Sequence, residues 1–130
     1  MKNLKSISLG MVAISVIMFF AALATDIFWL AKLVGKPFPL AKPVEHLVYE
    51  AFAVPDLVSS ILLYVGAYGL IMQKKFGFII SWVAMGMWIF DALLVLNVTK
   101  FTNINFIGPS LIFAIFSVVY LWRKSAIAQE

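Results

Sequence analysis

Residues 76–98 read FGFIISWVAMGMWIFDALLVLNV, an unbroken apolar run in which Asp91 is the only charged side chain. As an α-helix this run would be about 34 Å long, enough to cross a hydrocarbon core of about 30 Å. It lacks the alternation of a barrel strand, and a segment in lipid must satisfy its own backbone groups, which leaves helix.

Three more runs of the same character lie on either side, at residues 7–31, 55–72 and 106–122. Gln73, Lys74 and Lys75 leave room for only a tight turn, so the second and third spans are antiparallel neighbours. Gly35, Pro37, Pro39 and Pro43 break the first connection, while Pro55 and Pro109 fall at span starts, where a missing N–H costs nothing. Of 130 residues, 64% are apolar and 12% charged, with a mean hydropathy of +1.04. A soluble domain of this length has no use for so much apolar sequence, because its surface faces water. The expected fold is therefore an all-α membrane protein, a single four-helix transmembrane bundle whose first partner is the lipid bilayer.

Between the first two spans, EHLVYEAFA (residues 45–53) places Val44, Leu47, Val48, Ala51 and Phe52 at helical spacing. This predicts a short extracytoplasmic amphipathic helix lying on the membrane. The competing reading is one long helix over residues 44–72, kinked at Pro55. Lys2, Lys5, Lys74, Lys75, Arg123 and Lys124 fall on the side of the termini, against Lys32, Lys36, Lys42 and Lys100 on the other. That bias predicts a multi-pass cell-membrane protein with both termini cytoplasmic. Lys2, Lys5 and the Ala22-Leu23-Ala24 triplet have the form of a cleaved secretory leader. The apolar run continues through Ile27, Phe28, Trp29 and Leu30, so it is read as a retained span.

Ionisable side chains at membrane depth are costly unless they are buried among partners, which makes Asp26, Asp56 and Asp91 the informative residues. With alternating helix direction all three fall in the half of the bundle away from the termini. Each span also carries a stripe of small or weakly polar residues, the kind that lets helices approach closely in lipid. These are Ser15, Ala22 and Asp26; then Asp56, Ser59, Ser60, Leu63, Gly66 and Ala67; then Gly77, Ser81, Ala84, Trp88 and Asp91; then Ser110, Ala114 and Ser117. The pattern predicts tight packing near the termini and an outer-leaflet cavity lined by the three aspartates. Ser59, Ser60 and Trp88 belong to its stripes, and Tyr49, Glu50, Asn97 and His46 are candidates for its rim. Competing structural roles are Asp56 as a helix cap, and Asp26 or Asp91 as an acceptor for a Trp N–H, a Tyr hydroxyl or Lys100.

Other signals carry less. His46 and Glu50 are four apart, but one histidine and no cysteine make a poor transition-metal site, so no metal is assigned. A hard cation among the aspartates is a further alternative. Absence of cysteine excludes disulfides, thiol chemistry and iron–sulfur centres in this chain. The net charge of +4 reads as a topology signal, with no nucleic-acid partner implied. Asn97-Val98-Thr99 matches a sequon at the membrane boundary and is discounted. Trp29, Trp82 and Trp122 suit span ends, whereas Trp88, a turn from Asp91, has two readings, plain core packing or stacking on a ligand or cation. There is no Ser–His–Asp set, phosphate-cradling loop or nucleotide fingerprint, and no cofactor is expected. Gly66 and Gly69 lack the spacing of a dimer motif, so no oligomeric state is assigned.

Thr25-Asp26-Ile27-Phe28-Trp29, then Ala53-Val54-Pro55-Asp56-Leu57-Val58-Ser59, then Asp91, resembles small uncharacterised four-helix bacterial integral membrane proteins. The resemblance implies architecture alone. In the topological positions of Asp26 and Asp56 the chain is also loosely similar to the emopamil-binding and sigma-two receptor group. That similarity implies an acidic intramembrane pocket for amphipathic amines or sterols. The expected function is binding or transport of a cationic or amphipathic small molecule at the aspartate cavity. The alternatives are an intramembrane acid–base enzyme acting on a lipid-like substrate, or an accessory subunit of a larger membrane complex.

Overall fold

The structure, a computed structural model, describes residues 7–36 and 50–127. Four helices account for nearly all of them: α1 (Leu9–Leu33), α2 (Ala53–Ile71), α3 (Lys75–Val98) and α4 (Ile104–Ile127). Each is long and apolar enough to cross a membrane. α1 packs on α2, α2 on α3 and α3 on α4, so chain neighbours are also neighbours in space. The end where α1 begins and α4 finishes is called proximal below, and the opposite end distal.

Helix ends explain how the runs stop. Ser8 caps α1, its hydroxyl accepting from the Met11 amide at 3.4 Å and pairing with the Tyr120 hydroxyl at 3.0 Å. The last two residues thereby join α1 to α4 at the proximal end. α1, α2 and α3 each close with an amide reaching five residues back: Lys36 to Ala31, Lys74 to Gly69 and Phe101 to Leu96, at 2.8–2.9 Å. The residue before that amide is left-handed in each case, with φ of 73° at Gly35, 52° at Gln73 and 49° at Lys100. This closure satisfies carbonyls that a helix end would otherwise leave open.

α4 begins at Ile104, two residues earlier than the apolar run, so Pro109 lies inside the helix and not at its start. The expectation that its missing N–H costs nothing is thereby corrected, since a bond toward Asn105 is lost there. Glu50 and Ala51 are helical, with a turn at Phe52 before α2. The rest of the predicted surface helix, including Tyr49 and His46, lies outside the described residues.

The core lies in the proximal half and the middle of the bundle. Met11, Ile14, Met18 and Ala22 meet Leu63, Ala67 and Leu70, with Ala84, Met85, Ala114 and Leu121 completing the cluster. The small-residue stripes face inward as their spacing predicts, with Ser15, Ser59, Ser60, Gly66, Gly77, Ser81 and Ser117 all buried. Their purpose is close approach. A Cβ on Gly66 would sit 2.7 Å from Ser81 Oγ and 2.9 Å from Met18 Cε, and Gly69 lies against the Gly77 backbone. No residue of 104–113 is fully buried, so α4 is held chiefly by its proximal half.

Candidate functional site

The aspartates all lie in the distal half, and each is half-buried. Asp26 and Trp29 sit one turn apart on α1; Asp56 and Tyr64 are two turns apart on α2. The antiparallel packing sets these residues opposite one another. The Trp29 indole N–H donates to Asp56 Oδ2 at 2.9 Å, and the Tyr64 hydroxyl donates to Asp26 Oδ2 at 2.9 Å. Each helix thus offers one aromatic donor and one carboxylate acceptor to the other, a reciprocal clasp. Asp56 is in the first turn of α2, yet Phe52 takes the cap position and the carboxylate reaches across to α1.

Trp29 links this clasp to the distal charges. It is buried, and Lys32 Nζ lies 5.0 Å from the centre of its ring. Lys32 is also 3.9 Å from Glu50 Oε1. The cation is therefore within the last turn of α1 and not beyond the helix end, as the shorter span had implied. Glu50 is exposed, as is Asn97 in the last turn of α3.

Asp91 differs from the other two. Among the described residues no side chain donates to it or forms an ion pair with it. One turn below it, Trp88 packs on Phe113 of α4, ring centres 5.8 Å apart. Ser59 is buried with no hydrogen-bond partner among the described residues, whereas Ser60 donates to the Leu57 carbonyl at 3.0 Å. Among the described residues no group of three His, Cys, Asp or Glu side chains is placed to hold a metal ion.

Sequence reasoning reached the aspartates and their depth but missed Tyr64, and it read Trp29 only as a span-end aromatic. One signal was present: each aspartate sits within two turns of an aromatic donor on its own helix. The chain matches no protein-family model, no curated protein and no solved structure.

Proposed function

We propose that this chain binds a cationic amphiphile at the distal aspartates and serves its recognition or transport within the membrane. Asp91 is the ammonium-facing group and Asp56 the second carboxylate. One observation carries the reading: Asp91 is half-buried in a helix long and apolar enough to span a membrane, without a donor or cation among the described residues. Such a group is expensive in hydrocarbon, and a ligand that brings a positive charge offsets the cost. The apolar body of the ligand would lie against Trp88 and Phe113. Asp26 and Asp56 are already hydrogen-bonded and hold α1 to α2.

Equilibrium binding of tetraphenylphosphonium to the purified protein tests this. It carries charge and apolar bulk with no hydrogen-bonding group, so it reads the electrostatic contribution alone. D91N is expected to weaken binding tenfold or more, about 1.4 kcal/mol, as loss of the Coulomb attraction between a partly buried carboxylate and the cation requires. D26N, whose acceptor is taken by Tyr64, should change it less than threefold. Equal binding by the parent and D91N would overturn the reading.

The orientation belongs to the same proposal: both termini cytoplasmic, in a cell membrane, with the aspartates toward the outer leaflet. Its support is the excess of Lys and Arg at the proximal end. Cysteine at Lys36 or Asn103 should react with an impermeant thiol reagent on intact cells, and cysteine at Lys75 should not. The opposite pattern would invert the assignment.

A further inference from the structure

We propose that the proximal end of the bundle selectively binds anionic phospholipid headgroups, through a basic rim built from the α2–α3 turn and the last turn of α4. Lys74, Lys75 and Arg123 are exposed there, and Lys124 is half-buried. The Trp82 and Trp122 rings, 5.6 Å apart, bring the ends of α3 and α4 together at this level. The Ser8–Tyr120 bond adds the start of α1.

The charge distribution identifies the partner. Every acidic side chain among the described residues (Asp26, Glu50, Asp56 and Asp91) lies in the distal half. The distal Lys32 has Glu50 at 3.9 Å, whereas among the described residues none of the four proximal cations has a carboxylate within salt-bridge distance. Lys124 instead lies 5.9 Å from the Tyr120 ring centre. A basic rim that no carboxylate among the described residues compensates, above Trp and Tyr side chains at the end of a membrane bundle, meets the headgroup layer, where phosphodiesters are the concentrated anions. Each cation near such a surface favours an anionic over a zwitterionic lipid by about fivefold. This surface is independent of the aspartate site, and either proposal can fail alone.

Native mass spectrometry of protein released from nanodiscs of equal phosphatidylglycerol and phosphatidylcholine tests it. The parent should retain phosphatidylglycerol over phosphatidylcholine by a hundredfold or more. The pairs K74Q/K75Q and R123Q/K124Q should each bring that ratio down by about 25-fold, while the charge-preserving K74R/K75R keeps it. K36Q/K100Q, at the distal end, should also keep it. Equal retention of the two lipids by the parent overturns the proposal. So does an equal loss in K36Q/K100Q, which would make the preference one of net charge, or loss in K74R/K75R, which would make it one of packing.

Discussion

Replacing Gly77 with alanine is expected to cost about 3 kcal/mol or more of bundle stability, whereas the same change at Gly86 should be neutral or add up to about 1 kcal/mol. Both glycines are in α3, so intrinsic helix propensity favours alanine equally at each. What differs is the space. A Cβ at Gly77 would overlap the Gly69 carbonyl carbon and lie 2.5 Å from the Leu70 amide nitrogen. Those are backbone atoms of α2, next to a tight turn, and they cannot move without splaying the helix pair. At Gly86 nothing lies within 4 Å. Van der Waals contact is a main source of helix association in lipid, so loss of this approach weakens the α2–α3 seam directly. Gly66→Ala should fall between the two, because the atoms nearest its new methyl group, Ser81 Oγ and Met18 Cε, belong to side chains that can shift. Unfolding by denaturing detergent, followed by tryptophan emission, measures all three. Equal stability of G77A and G86A would contradict the packing described.

The second large effect concerns the clasp between α1 and α2. Trp29→Phe keeps most of the ring packing but removes the N–H that donates to Asp56, leaving a half-buried carboxylate without that donor. The expected cost is about 1–3 kcal/mol. If the hydrogen bond is the cause, the loss should shrink sharply when D56A is already present. A double-mutant cycle should then return a coupling of about 1–2 kcal/mol. Y64F with D26A provides the matching cycle for the second bond of the clasp. Purely additive effects in both cycles would mean that the aromatic rings act only by bulk and that the carboxylates do not hold the helices together.

Much of this architecture is legible in the sequence because apolar length and small-residue spacing each have one physical use in lipid. Gly77, Ser81 and Ala84 recur at helical spacing and are buried against neighbouring helices. The four runs became four helices with ends shifted by a few residues. What stayed hidden depends on relations between helices. The pairs Trp29–Asp56 and Tyr64–Asp26 need the rotation and depth of α1 against α2, which neither helix encodes alone. Ser8 and Tyr120 meet across 112 residues of chain. Left-handed closure at Gln73 and Lys100 was also invisible, since the usual glycine signal is absent and the motif forms at ordinary residues. At the start of α4, Ile104 and Asn105 precede the apolar run, so hydropathy alone placed Pro109 at the wrong point in the helix.

Asp91 decides the functional account. If, as proposed, a positively charged ligand matches this acidic side chain, which has no donor or cation among the described residues, that ligand should accompany the protein out of the membrane. Native mass spectrometry of gently extracted protein, with dissociation of the bound mass, tests this most directly. The parent should carry a small adduct that dissociates as an amine or quaternary ammonium ion, and D91N prepared in parallel should lose it while keeping its phospholipid adducts. A parent that carries phospholipid alone, or an amine adduct retained unchanged by D91N, would contradict the account.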